Sequence, residues 1–150
     1  MVQAMIEHVE DDIKTAIDAT GSFSDFTLYS VENDQDEDTD FEYDVPNIIY
    51  GSEGSPVDYF MDGSRMMSTD IILQVNVDQF STINGLTRKR LVNYTLDILQ
   101  NALNDMTFSN ITPIEFNTAL GETAARVPIG EDEFIYRGSV GMSITYLDNT

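Results

Sequence analysis

The sequence predicts an α+β fold, in which an antiparallel or mixed β-sheet is packed on one face by two main helices, at about residues 2–18 and 87–105. In both segments apolar residues recur at helical spacing. Several other stretches alternate apolar and polar side chains, as half-buried strands do. No internal repeat is visible, and the length suits a single domain over residues 1–150.

The first helix is amphipathic over residues 2–18. Its apolar residues recur every three or four positions and are Val2, Met5, Ile6, Val9, Ile13, Ala16 and Ile17. Gly21 follows and suits the left-handed conformation that ends many helices. Residues 23–31 then alternate, with Phe26 and Leu28 on one side, and predict a strand.

An acidic run interrupts this pattern at residues 32–44, where eight of thirteen residues are Asp or Glu. Such dense like charge predicts a mobile, solvated loop. Four aspartates have the alternate spacing of an EF-hand calcium loop: Asp34, Asp36, Asp38 and Asp40. The match ends there, because Thr39 occupies the glycine position of that motif and Val45 the glutamate position. Divalent-ion binding and docking of a basic partner stay as the alternatives.

Further strands are predicted after the acidic run. Residues 45–50 are largely apolar, and a short strand is expected around residues 57–61. The clearest strand of this half is 69–78, whose predicted core face holds Ile71, Leu73, Val75 and Val77. Its other face is expected to be largely wet and holds Ile72, Gln74, Asn76 and Asp78.

The second helix is predicted over residues 87–105, after a break at Asn84-Gly85 and with Thr87 as N-cap. Its apolar residues lie on more than one face: Leu91, Val92, Tyr94, Leu96, Ile98, Leu99, Ala102, Leu103 and Met106. Such a helix lies deep in a core or is partly covered by a neighbouring subunit. Because the domain has only one other predicted helix, we favour the neighbouring subunit.

The last third of the chain is predicted to be β-structure. Residues 111–117 form a candidate strand, and Pro113 indicates that it lies at a sheet edge. Residues 118–132 are expected to be a loop. The final strand, 133–147, alternates throughout, and its two glycines, Gly138 and Gly141, indicate a bulge or a close backbone approach.

Composition excludes several classes of function. With 27 acidic and 7 basic residues, the net charge of −20 argues against binding nucleic acid through its phosphates. The bias towards Asp, with Lys14 and Lys89 as the only lysines, is typical of a salt-adapted surface; an ordinary acidic protein is the equal alternative. The chain has no cysteine, no signal-peptide pattern and no apolar run that spans a bilayer, so an intracellular origin is expected.

The sequence offers no candidate catalytic residues. His8 is the only histidine, and a helix-surface or packing role is favoured for it over catalysis. Paired carboxylates are unavoidable in so acidic a chain and carry no information about acid–base catalysis. We therefore expect a protein that is not an enzyme and that needs no cofactor or metal.

A basic cluster stands out against the acidic background, because Arg88, Lys89 and Arg90 are consecutive at the start of the second helix. Positive charge there opposes the helix dipole. One interpretation is that these residues pair with the chain's own acids. The other is that they contact an acidic surface of a neighbouring subunit, with Tyr94 on the same helix, so that copies join head to tail in a ring.

Four segments together resemble the tail-terminator, or neck, proteins of long-tailed viruses: the amphipathic opening helix, "VPNIIYG" at 45–51, "TDIILQVNVDQFS" leading into "TRKRLVNYTLDILQNAL", and "EFIYRGSVGMSITYLD". The resemblance implies a virion protein, assembled in the host cytoplasm, that forms a hexameric ring. Such a ring ends polymerisation of the tail tube and joins the tube protein to the head-side connector. Another neck component (a head-closure or tail-completion protein) and a cellular acidic protein-binding module are the alternatives.

Overall fold

The computed structural model describes residues 5–30, 45–51, 54–59, 65–109 and 112–148, and it confirms the α+β fold. The described elements form a mixed seven-stranded sheet, a two-stranded hairpin and two helices. In chain order they are α1 (Met5–Thr20), β1 (Thr27–Ser30), β2 (Asn47–Gly51), β3 (Gly54–Tyr59), β4 (Arg65–Asp78), β5 (Thr82–Ile83), β6 (Leu86–Thr87), α2 (Arg88–Asn104), β7 (Thr112–Leu120), β8 (Ala125–Gly130) and β9 (Glu133–Asp148).

The centre of the sheet is the antiparallel pair β4 and β9. Their register is unbroken from Arg65 opposite Asp148 to Asp78 opposite Ile135. Strands β2 and β3 pair with the other side of β4, and β7 and β8 pair with the other side of β9. Strand β1 runs parallel to β2, which makes the sheet mixed. The sheet is therefore built outwards from two long strands.

The core lies between the sheet and the helices, as the alternation of apolar residues predicts. The four predicted core residues of β4, from Ile71 to Val77, are fully buried, and Val140, Ile144 and Tyr146 of β9 join them. Helix α2 contributes six buried residues, and α1 adds Val9, Ile13 and Ile17 to the same core. Neither described helix has the length and apolar character that crossing a bilayer requires.

Nearly all of the apolar surface of α2 is covered by other parts of the same chain. The helix packs against the sheet on one side and α1 on another, so eight of its nine predicted apolar positions are buried or half-buried. Tyr94 is the exception, with 42% of its surface exposed. The apolar surface of this helix that a neighbouring subunit can still cover is therefore centred on Tyr94.

The prediction of a loop over residues 118–132 is wrong, because most of this stretch is β-structure. Strand β7 continues to Leu120, β8 occupies Ala125–Gly130, and a tight turn at Glu131-Asp132 joins β8 to β9. Strand β8 lies at an edge, and Val127 is its only residue that is not exposed. Because neither face of β8 is buried in the core, the strand shows none of the apolar alternation by which half-buried strands are recognised.

Most other boundaries differ from prediction by a few residues. Helix α1 ends at Thr20, and Gly21 takes the expected left-handed conformation, with φ +68°. Strand β1 is shorter than predicted, whereas β4 begins four residues earlier, at Arg65. Pro113 lies on the edge strand β7, as expected. The acidic run 32–44 and the side chain of His8 lie outside the described part of the molecule.

The two glycines of β9 have different roles. The β4–β9 register is unbroken at both, so neither marks a bulge in that pairing. A Cβ atom at Gly138 would lie 2.7 Å from Leu96 Cδ1 and 3.0 Å from Val92 Cγ1, whereas at Gly141 the nearest atom is 3.9 Å away. The predicted close approach is therefore confirmed at Gly138 alone, where α2 crosses the strand.

Candidate functional site

A short hairpin sets the position of the basic cluster. Strands β5 and β6 are joined by Asn84 and Gly85, both with positive φ (54° and 76°), as a tight two-residue hairpin turn requires. Ile83 and Leu86 of the hairpin pack against the core. Because the hairpin is anchored in this way, the first turn of α2 is held near Arg126 of β8 and Tyr136 of β9.

The first turn of α2 carries several locally unfavourable features. Arg88 has φ +53°, a left-handed conformation that costs a residue other than glycine about 1–2 kcal/mol. Thr87 has the extended backbone of an N-cap but makes no side-chain capping bond. The first turn has no acidic residue to oppose its three cations. Local stability therefore does not explain this segment, and such departures are commonest at functional sites.

A fourth cation joins the cluster from the sheet. Arg126 of β8 and Tyr136 of β9 lie opposite each other in the ladder and line a cavity of about 550 Å³ together with Thr87, Arg88, Lys89 and Arg90. We call this cavity the basic pocket. The guanidinium of Arg126 lies 4.4 Å from the centre of the Phe134 ring, a cation–π contact that orients it. Four of the chain's seven basic residues thus surround one concave site.

Within the described ranges, no carboxylate oxygen lies within 4.0 Å of the Arg88, Lys89 or Arg90 side chains. All three side chains are exposed. Among the described residues, these three cations therefore form no ion pair with an acid of their own chain. The pocket concentrates positive charge that is available for an anionic group.

Arg137, by contrast, belongs to a polar cluster on the sheet face opposite α2. Its Nε donates to Asn76 Oδ1 at 2.8 Å, and Asn76 Nδ2 donates to Asn47 Oδ1 at 2.9 Å and Gln74 Oε1 at 3.2 Å. We call these four side chains the amide network. Asn47 and Asn76 are each only 2% exposed. The predicted wet face of this strand is therefore wrong at Asn76, because a hydrogen-bonded amide is buried there.

The predicted site residues fall into two groups. Arg88, Lys89 and Arg90 line the basic pocket, and Tyr94 lies one helical turn after Arg90, on the same side of α2. The other group, Asp34, Asp36, Asp38 and Asp40, lies outside the described residues. In the ranges that the structure describes, no three or more His, Asp or Glu side chains are grouped to hold a metal ion.

Sequence reasoning missed Arg126, Phe134 and Tyr136. Arg126 falls in the stretch wrongly predicted as a loop, and only the pairing of β8 with β9 brings it to the helix. A usable signal was present, since Arg126 is one of few cations in so acidic a chain.

An exposed aromatic side chain lies just after β4. The Phe80 side chain is 80% exposed, and the backbone that presents it is fixed by Asp78, whose Oδ1 accepts hydrogen bonds from Phe80 N and Ser81 N at 3.1 and 2.7 Å. On the sheet face opposite α2, Ile72 is 60% exposed. These apolar positions add to the surface that a protein partner can cover.

Comparison with models of known protein families finds no match, and comparison with curated proteins finds none.

Proposed function

We propose that this chain is a structural, non-enzymatic subunit of a ring at the head-proximal end of a viral tail tube. The ring ends tube polymerisation and docks to the head-side connector. The observation that supports assembly is the basic pocket, in which four cations meet on a chain of net charge −20. A second copy offers the pocket a mainly acidic surface. Contact between two different patches is heterologous, and heterologous contacts form a ring when the rotation between successive copies closes.

The viral role is supported by the sequence resemblance, whose segments meet in the fold. "TDIILQVNVDQFS" covers most of β4 and the turn after it, "TRKRLVNYTLDILQNAL" covers α2, and "EFIYRGSVGMSITYLD" is β9. These three elements are the central strand pair and the helix packed on it. The resemblance therefore covers one continuous structural unit.

Two alternatives predict different assemblies. A head-closure or tail-completion protein would also occupy the viral neck, and it is distinguished by which purified partner, tube protein or connector, it binds. A cellular module that binds basic proteins predicts a monomer or dimer whose partner affinity falls steeply with salt.

The native mass of the purified chain tests the proposal, by light scattering at about 0.1 M and about 2 M salt. Repulsion between copies of charge −20 acts over the Debye length, about 10 Å at the lower and under 3 Å at the higher concentration. Ion pairs that become buried between two copies are screened less than this long-range repulsion, so salt is expected to favour the ring. We expect a mass near six copies of the 16.8-kDa chain at high salt. A monomer at both concentrations, even with tube protein added, would contradict the proposal.

Single charge reversals supply a matched comparison. Arg90→Glu and Lys14→Glu change the net charge equally, and both side chains are exposed, but only Arg90 lines the basic pocket. We expect Arg90→Glu to dissociate the ring and Lys14→Glu to leave it intact. Equal behaviour of the two variants would remove the pocket from the interface.

A further inference from the structure

We propose that the basic pocket binds the acidic segment, residues 32–44, of a neighbouring copy of this chain. This inference rests on the proposed self-assembly and names the surface that meets the pocket. It is drawn from charge, from the place of the flanking strands in the sheet, and from the size of the cavity.

Charge complementarity singles out this segment. Residues 32–44 hold eight carboxylates and form the densest acidic stretch of the chain. Three of the four pocket cations are arginines, whose planar guanidinium groups bind carboxylates with two parallel hydrogen bonds. A densely anionic segment also raises the rate of encounter with a cationic cavity on an otherwise repelling molecule.

The sheet places the pocket and the strands that flank the segment on opposite sides. Strands β1 and β2, which end and begin on either side of the segment, lie beyond β4, whereas β8 lies beyond β9. One row across the sheet runs Thr27, Asn47, Asn76, Arg137 and Ala125. Asn47 and Ala125 are three strand spacings apart in that row, about 14 Å. An extended segment of thirteen residues also spans that distance within its own chain, so the assignment to a neighbouring copy rests on the proposed self-assembly. Contact between copies then repeats in one direction, as a ring requires.

The size of the cavity limits how much of the segment it takes. A volume of about 550 Å³ lies in the range that accommodates a small-molecule ligand, so it holds a few side chains of a peptide. We therefore expect two or three carboxylates to enter the pocket while the rest contribute at longer range. Replacing Asp34, Asp36, Asp38 and Asp40 leaves Glu37 as the only acid within residues 33–41, so no closely spaced carboxylates remain there and binding is expected to weaken strongly.

Mixing two complementary variants tests the proposal. Arg88→Glu/Arg90→Glu removes the pocket and keeps the segment; Asp34→Asn/Asp36→Asn/Asp38→Asn/Asp40→Asn weakens the segment and keeps the pocket. Each alone is expected to be monomeric where the unmodified chain forms rings. An equimolar mixture is expected to give heterodimers, since each pair has one intact contact. A mixture that stays monomeric would overturn the inference. Rings of normal size from the aspartate variant alone would also overturn it, because they would show that the segment does not join the copies; a segment that binds the pocket of its own chain would give this result.

A peptide experiment separates failure of this inference from failure of the proposed function. A fluorescent peptide of residues 32–44 is titrated with the full-length aspartate variant, whose own segment competes weakly, at about 0.1 M salt. We expect the affinity for the peptide to fall at least tenfold when the substitutions Arg88→Glu/Arg90→Glu are introduced into this variant. We expect a fall of at least tenfold also when the four aspartates of the peptide are replaced by Asn. Equal affinity for both proteins would overturn the pocket–segment contact even if rings form. Binding to the pocket without rings would retain the contact and refute the ring.

Discussion

A single methyl group added at Gly138 tests how closely α2 lies on β9. The new Cβ would be 2.7 Å from Leu96 Cδ1 and 3.0 Å from Val92 Cγ1, well inside the 3.4–4 Å of ordinary contact. Both neighbours are buried helix residues, and the backbone carbonyl oxygen of Glu122 lies 3.1 Å from the same Cβ position. The buried Leu96 side chain must therefore give way, or the helix and strand must separate slightly, and overpacking of this kind costs about 1–3 kcal/mol.

One opposing effect is measured separately at Gly141. Replacing glycine with alanine reduces the entropy of the unfolded chain and stabilises a fold by about 0.4–1 kcal/mol where space allows. Gly141 lies on the same strand, and its added Cβ meets no atom nearer than 3.9 Å. We therefore expect Gly141→Ala to raise the free energy of unfolding slightly and Gly138→Ala to lower it by about 2 kcal/mol.

Urea denaturation of both variants, at one salt concentration and several protein concentrations, measures the difference. In a thermal melt of a chain of this size, a loss of about 2 kcal/mol corresponds to a melting temperature lower by about 4–8 °C. Equal effects of the two substitutions would refute the close helix–strand contact. Values that depend on protein concentration would show that assembly contributes, and the comparison would then be made on the Arg90→Glu background.

Three further predictions concern the polar and strained positions. Arg88→Gly relieves the left-handed strain and is expected to raise the free energy of unfolding by up to about 1 kcal/mol while weakening self-association; a less stable protein in denaturation would contradict this. Asn76→Ala removes the centre of the amide network and is expected to cost about 2 kcal/mol, against under about 1 kcal/mol for the half-buried Gln74→Ala, by urea denaturation. Asp78→Ala loses the hydrogen bonds that fix the turn at Phe80 and is expected to cost about 1 kcal/mol in a thermal melt, whereas Asp78→Asn, which keeps an acceptor, should cost less.

Periodicity predicted the elements that enter the core. Both helices, β4 and β9 were found because one face of each is buried, and that face repeats in the sequence. Strand β8 and the β5–β6 hairpin were missed as strands because their side chains stay mostly at the surface. The turn at Asn84-Gly85 was recognised only as a break, although both residues suit a hairpin.

Only part of the candidate site could be predicted from the sequence, because some of its residues are brought together by the tertiary structure. Arg88, Lys89 and Arg90 are consecutive and visible as a cluster, but Arg126 is brought to them by strand pairing. In the amide network Asn76 joins residues 29 and 61 positions away in sequence, and no local pattern marks such partners. Polar residues at alternating positions look the same whether they face water or one another.

The central position of β9 has a consequence for how the chain folds. Its partner β4 ends at Asp78, and β9 begins only at Glu133, so every contact between the two strands closes a long stretch of chain. Pairings that distant in sequence slow folding, because loop-closure entropy is lost before the contacts form. Until β9 arrives, β4 exposes an unpaired edge and an apolar face, which favour aggregation. During synthesis β1–β4 can therefore pair with one another, whereas β7 and β8, whose described partner is β9, join the sheet only after that last described strand has been made.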